Sequence, residues 1–233
     1  MQMKTIGILG GLGPQATMDF EARLHQVSQR LIPQQGNYGF PPVVVYYVRH
    51  APIIVGEDFK PVFPIQPDPR LLEAAQKLGA LSDFMVITAN CPHLLQEAIE
   101  AASGVKILSM IEVTLDEVRR RGLERVGVLG FGEPLVYQGP LEGMGIAYEI
   151  LPEERRAQLD EAVIAVWEGR DGEPERELAR EAVDWLRARP VDGVILGCTE
   201  LPLLLSEIER DPDIINPTQL LAEAAVRKAI EDA

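Results

Sequence analysis

The sequence predicts an α/β fold of two pseudo-symmetric lobes, each a four-stranded parallel sheet flanked by helices. Two observations lead to it. Strand-like runs alternate with helix-like runs along the whole chain, the pattern of parallel sheets covered on both faces. The chain also repeats itself. Thr5–Gly10 (TIGILG) lines up with Arg125–Gly130 (RVGVLG), and Pro14 with Pro134, at one offset of 120 residues. Ser82-Asp83 and the apolar run behind it line up with Val191-Asp192 and its run at an offset of 109, and Lys106–Leu108 lines up with Ile214–Asn216. The first lobe is expected over 1–112 together with 208–233, and the second over 113–207. Ligands of open α/β sheets bind off the carboxyl ends of the strands, so the cleft between two such lobes is the expected site.

Each element has a local reason. Lys4–Leu9 is β-rich and ends in Gly10-Gly11-Leu12-Gly13, after which Pro14 suits the first turn of a helix reaching Leu31. Val43–Val48 (VVVYYV) reads as a buried strand. His50–Pro69 is proline-rich and aperiodic, a long surface loop of the kind that often binds or covers ligands. A helix Arg70–Leu78, strand Phe84–Thr88, helix Pro92–Ala102 and strand Lys106–Ser109 complete the first half. The second half reads as helix Ile111–Arg121, strand Arg125–Leu129, helix Pro134–Met144 and strand Ala147–Leu151. Charged helices Glu153–Glu168 and Glu173–Ala188 follow, with acidic faces expected to be solvated. Strand Gly193–Leu196, a short helix Pro202–Glu207, strand Asp213–Ile215 and a last helix from Thr218 end the chain.

The 233 residues carry 22 Lys and Arg against 36 Asp and Glu, a net charge of −14. A surface of that sign repels nucleic acids and anionic membranes but leaves room for a small acidic ligand in a local pocket. No apolar run is long enough for a transmembrane helix, and the N-terminal segment runs into a glycine turn without a cleavage site. The expected location is the cytoplasm, where two cysteines, Cys91 and Cys198, stay reduced. Their spacing is that of neither a zinc site nor a redox pair.

Three segments fall at predicted strand ends. In Gly10-Gly11-Leu12-Gly13-Pro14-Gln15-Ala16-Thr17 the glycines allow a tight strand-to-helix turn, or a turn whose N–H groups face an anion. Gly11, Gly13 and Ala16 match a dinucleotide fingerprint formally, yet the second strand lacks the acidic residue that would bind a ribose. In Thr88-Ala89-Asn90-Cys91-Pro92-His93, Asn90, Cys91 and His93 can face the cleft, and a helix dipole would activate the thiol; alternatively Cys91 is core and Asn90 a cap. Leu196-Gly197-Cys198-Thr199-Glu200-Leu201-Pro202 has the same placement in the other lobe, so symmetry sets Cys198 opposite the Asn90 region. Arg49, His50 and Lys60 lie in or beside the long loop and are candidates to meet a carboxylate.

Taken together, in this order and spacing, the glycine turn, Ala89–His93, Leu196–Pro202 and Asn216-Pro217-Thr218 resemble the aspartate/glutamate racemase family over nearly the whole chain. The resemblance implies two α/β lobes with the site between them, commonly in homodimers. It also implies an isomerase with no cofactor and no metal, acting on a small acidic amino acid or dicarboxylate. One thiolate takes the α-proton from one face while an opposed thiol returns a proton to the other. Cys198 falls on the family's catalytic position. The family's first-lobe segment usually reads Cys-Asn-Thr, sometimes Thr-Asn-Thr; here Ala89-Asn90-Cys91 stands, with Cys91 two positions along. Cys91 is therefore either the second acid/base or a binding residue in a one-thiol site. Gly11, Gly13, Asn90 and Thr199, with Thr17, Glu200 and Arg49, are the expected substrate contacts. Two other functions remain open. One is a one-cysteine decarboxylase or isomerase of a small dicarboxylic acid, since the related arylmalonate decarboxylase works with one cysteine. The other is a non-catalytic carboxylate-binding protein on the same fold.

Overall fold

The computed structural model describes residues 3–56 and 62–231. The chain forms two compact units, Met1–Met110 with Leu221–Ala233, and Ile111–Leu220.

The first unit is organised around β1 (Ile6–Gly10), a fully buried strand. Its glycines lead into α1 (Pro14–Leu31), where Pro14 occupies the first turn and Phe20, Leu24 and Val27 are buried. β2 (Val43–Tyr47) pairs parallel with one side of β1, joining Gly10 to Tyr47. It is half-buried along its length, because it forms an edge of the sheet; the apolar run had predicted a buried strand. The long loop folds back on itself through an antiparallel bridge between Ile53 and Pro67. Asp68 then caps α2 (Pro69–Gly79), its carboxylate accepting from Arg70 N at 2.8 Å. β3 (Phe84–Ile87) pairs parallel with the other side of β1, joining Leu9 to Ile87.

Two expectations for this unit need correcting. The single helix predicted over Pro92–Ala102 is split into a 3-10 turn, Cys91–Leu95, and α3 (Gln96–Ser103). The fourth strand, predicted over Lys106–Ser109, is reduced to one parallel bridge of Ile107 with Met85. Gly104, left-handed at φ 73°, ends α3, and α4 (Met110–Arg121) begins six residues later. Too little extended chain remains for a ladder. The sheet therefore has three strands, in the order β2-β1-β3.

The second unit holds a four-stranded parallel sheet in the order β5-β4-β6-β7. Its elements run β4 (Arg125–Leu129), α5 (Leu135–Gly143), β5 (Ala147–Ile150), α6 (Glu153–Glu168), α7 (Glu173–Arg187), β6 (Gly193–Leu196), α8 (Leu201–Leu204) and β7 (Ile214–Ile215). Side chains alternate across a strand, and the two cores of this unit follow that parity. Leu129, Val194 and Leu196 pack with Leu159, Val163 and Leu186 of α6 and α7. Val126, Val128 and Ile195 pack with Val118, Tyr137 and Leu141 of α4 and α5. Pairing of β7 with β6 keeps 208–220 in this unit. The chain rejoins the first unit at Leu221, within α9 (Pro217–Ile230), later than the predicted residue 208. Near its end, Ala229 O accepts from Lys4 N at 2.9 Å.

Two glycines are steric requirements. Gly11 has φ +82°, and a Cβ there would stand 2.7 Å from the backbone N and O of Val48. A Cβ on Gly197 would stand 2.5 Å from Leu129 O and 3.1 Å from the Tyr137 ring. Gly197→Ala is therefore expected to destabilise the protein by about 1–3 kcal/mol, measured by thermal unfolding. A variant as stable as the parent would show that the β4–β6 approach is not tight.

Candidate active site

β4 and β6 run in register, Leu129 beside Leu196, so their carboxyl ends lie side by side. From the end of β6 the chain passes through Gly197 to Cys198, Thr199 and Glu200, and then into α8. Cys198 keeps the parity of Val194 and Leu196 and joins the core on the α6–α7 side. The residue is 6% exposed, and its thiol donates to Glu200 Oε2 at 3.1 Å. Thr199 Oγ1 donates to the same oxygen at 3.2 Å. Trp167 Nε1, from α6, donates to Glu200 Oε1 at 2.7 Å. Glu200 itself is 2% exposed. A buried carboxylate is costly unless its lone pairs are engaged; here three donors engage them, none of them a cation. Glu200 had been expected to touch substrate. The geometry makes it the partner of the Cys198 thiol instead.

In the first unit the carboxyl ends of β1, β2 and β3 share one edge of the sheet. The glycine turn there is closed by Thr17, whose side chain is fully buried. Its hydroxyl accepts from Gly11 N at 2.9 Å, reaches Gly13 O at 3.2 Å and meets Thr88 Oγ1 at 2.8 Å. Thr17 thus latches the turn and is not placed to touch a ligand, and the Gly11 N–H is committed to the same latch. Gly13, extended at φ −138°, opens α1 without a side-chain cap. The first-turn N–H groups beyond it are the anion-facing groups this turn can offer.

The segment after β3 places Asn90 buried and Cys91 exposed. The long helix whose dipole was expected at the Cys91 thiol is replaced by the five-residue 3-10 turn. His93, also expected to face a ligand, is buried and structural. Its Nε2 accepts from Met110 N at 3.1 Å, so Nδ1 carries the proton, shared at 3.0 Å with the carbonyls of Ala89 and Asn90. This histidine ties the Asn90 turn to the start of α4.

Beyond the end of β2, Arg49 is exposed, its guanidinium 4.9 Å from the Tyr47 ring centroid. Tyr47 OH donates to Glu21 at 2.9 Å, and burial together with that carboxylate raises the Tyr47 pKa. His50 Nδ1 meets Ala51 O at 2.9 Å and lies 4.0 Å from Asp68. Lys60 lies outside the described residues.

Residues 9–225 match the model of the Asp/Glu/hydantoin racemase family. The chain belongs to that family. It is an enzyme of the racemase class. It is 26% identical over 226 residues to the broad-specificity amino-acid racemase RacX of Bacillus subtilis (strain 168), covering 95% of this chain and 96% of that one. The fold is similar to that of the aspartate racemase of Picrophilus torridus, with TM-score 0.78, 22% identity and coverage of 97% and 94% of the two chains. It is likewise similar to an aspartate racemase homologue from Pyrococcus horikoshii OT3, with TM-score 0.71, 23% identity and coverage of 98% and 100%. Among the described residues no helix is long and apolar enough to cross a membrane. Nor do any three His, Cys, Asp or Glu side chains there group to hold a metal ion.

Two residues that hold candidate residues in place, one in each unit, were missed from sequence. Thr88 ends a strand and gives no signal of its partner Thr17. Trp167 lies 33 positions before Glu200, in a helix whose charged residues suggest only a solvated face. Its one cue is the i, i+4 spacing from the apolar Val163.

Burial of His93 lowers its pKa from 6.5 to about 4. Between those values the unfolded chain takes up a proton that the folded protein refuses. The stability that His93 contributes is complete above about pH 6.5 and is lost as the pH falls toward 4. His93→Gln removes this titration. The stability lost between pH 7.5 and pH 5 is expected to be roughly 2 kcal/mol smaller in the variant, read from urea unfolding at the two pH values. Equal losses in both proteins would contradict the buried neutral imidazole.

Proposed function

We propose that this enzyme is an amino-acid racemase of the aspartate/glutamate type, working through cysteine thiols without pyridoxal phosphate or a metal. The observation that carries the reading is the Cys198 thiol, buried and directed at the Glu200 carboxylate 3.1 Å away. A thiol so placed has a proton acceptor at hand. When the thiol proton moves to Glu200 Oε2, the thiolate left behind can take the α-proton of an amino acid. The carbanion is completed from its other face by the thiol proton of Cys91, which leaves Cys91 as thiolate. The opposite enantiomer runs the steps in reverse.

The remaining contacts fit a small amino acid. The first turn of α1 beyond Gly13 offers N–H donors to the α-carboxylate, where they oppose the charge that builds as the α-proton leaves. In this reading the Thr199 hydroxyl and Asn90, next to Cys91 in the chain, are further polar groups for the substrate. Thr17 and Gly11 act at one remove, by holding the turn. Arg49 is the basic group available to a side-chain carboxylate. The relatives' names support the substrate class, since one is a broad-specificity amino-acid racemase and another an aspartate racemase. A homodimer in the cytoplasm belongs to the same reading.

A second reading draws on the unlike settings of the two thiols. Cys198 is buried against a carboxylate, Cys91 is exposed, and Ala89 occupies the place where the family usually carries its first acid/base. In that case Cys198 works alone, as in a one-thiol lyase or isomerase.

Single substitutions separate the two. Cys198→Ala is expected to lower racemisation of aspartate or glutamate by 10²-fold or more, about the contribution of one positioned acid/base, followed by circular dichroism of the substrate. Cys91→Ala is expected to do the same. Racemisation that survives Cys91→Ala within a few-fold would favour the one-thiol reading, and survival of Cys198→Ala would overturn both.

A further inference from the structure

We propose that Trp167 is a positioning residue for the acid/base chemistry of Cys198, acting through Glu200. It biases the proton exchanged with the thiol toward the one carboxylate oxygen that faces the sulfur. The inference rests on the reading of Cys198 as an acid/base.

The argument begins with the division of donors on Glu200. Oε2 receives the Cys198 thiol and the Thr199 hydroxyl, whereas Oε1 receives the Trp167 indole alone, at 2.7 Å. An indole nitrogen can only donate, while a hydroxyl or a thiol can donate or accept. A proton on Oε1 would leave that oxygen a poorer acceptor for the indole, so the Trp167 N–H disfavours protonation there. Oε2 has no such restriction. If the thiol proton moves to Oε2, the new O–H can donate to the sulfur, and the Thr199 hydroxyl can rotate to suit. The carboxylate becomes a two-position proton switch biased toward Oε2.

The rest of the second unit keeps the indole in place. The Trp167 ring stacks at a tilt on Phe131, centroids 4.9 Å apart. Phe131 lies beyond the end of β4 and joins the same apolar cluster as Cys198. Val163, one turn before Trp167 in α6, is fully buried in that cluster. The indole is thus clamped by packing and need not be recruited by the hydrogen bond.

Trp167→Phe keeps an aromatic ring for Phe131 while removing the N–H donor along with part of the indole. The readout is alkylation of Cys198 by iodoacetamide as a function of pH, scored by mass spectrometry so that Cys91 is counted separately. Without the indole donor the carboxylate charge opposes the thiolate more strongly. The Cys198 midpoint is expected to rise by about one pH unit, the scale of one hydrogen bond to a charged group. The Cys91 midpoint should stay in place. The pH profile of kcat should move with that of Cys198, with KM little changed. A merely structural role for Trp167 would lower stability without moving the midpoint, and an unmoved Cys198 midpoint in folded Trp167→Phe overturns the proposal.

A second measurement needs no Trp167 variant. In protein labelled with 15N-tryptophan, with the two indoles distinguished by Trp185→Phe, the Trp167 N–H shift is expected to change with the same midpoint as Cys198 alkylation. A flat response across that midpoint overturns the proposal. The two readings can fail separately. If no amino acid is racemised but the Cys198 midpoint still moves in Trp167→Phe, the proposed reaction falls and the role of Trp167 stands. If racemisation proceeds and the midpoint does not move, the role of Trp167 falls alone.

Discussion

A buried carboxylate held by three neutral donors is the constraint on which the second unit turns. Glu200 is buried and satisfied by a thiol, a hydroxyl and an indole N–H. Losing one partner of a buried charged group commonly costs about 1–3 kcal/mol or more, so the donors have to be held where they are. The fold does this with ordinary means. Strand parity carries Cys198 to the α6–α7 side, the absence of a side chain on Gly197 lets β6 pass close to the end of β4, and α6 brings in the indole. An arrangement that costs stability in this way is expected where a proton has to be moved, because proximity of an acid and a base without water is what the chemistry requires.

The first unit solves a different problem. Its strand ends are locked by neutral hydrogen bonds: Thr17 with Thr88 across the glycine turn, and His93 between the Ala89–Asn90 carbonyls and the start of α4. Both devices leave the backbone rigid and consume polar groups that a reading of residue types alone assigns to a ligand. What stays accessible is Cys91. The two cysteines are therefore unlike in their surroundings, one coupled to a carboxylate inside its core and the other exposed at the head of a 3-10 turn. A net charge of −14 surrounds both with a field that disfavours anionic ligands at long range, which puts the burden of binding on local donors.

Most of the fold was legible because its signals are local. Pro14 after a glycine turn marks the start of α1 to the residue, and alternation of apolar strands with amphipathic helices marks the parallel sheets. The failures were those of elements that depend on neighbours. Val43–Tyr47 is apolar enough for a sheet centre but occupies an edge, a matter of strand order that composition does not contain. Lys106–Ser109 has the composition of a strand, yet Gly104 and the start of α4 leave it room for a single bridge. At the candidate site, the placement of Cys198 just beyond a strand end was legible from the apolar run and the glycine before it. The groups around its thiol were only partly so. Glu200 could be named but not given its role, and Trp167 could not be found at all, because its contact with Glu200 is made by tertiary packing across 33 positions.

The central claim is that Cys198 serves one face of the substrate α-carbon and a second group serves the other. Initial-rate turnover of L-aspartate and L-glutamate by the reduced enzyme in D2O tests it directly, with deuterium at the α-carbon counted separately in product and in recovered substrate. The account predicts that the D-amino acid product carries solvent deuterium while recovered L-substrate stays protiated, since the base that removes the proton is not the one that delivers the replacement. Deuterium entering recovered substrate and product at equal rates, or no exchange with either amino acid, would contradict it.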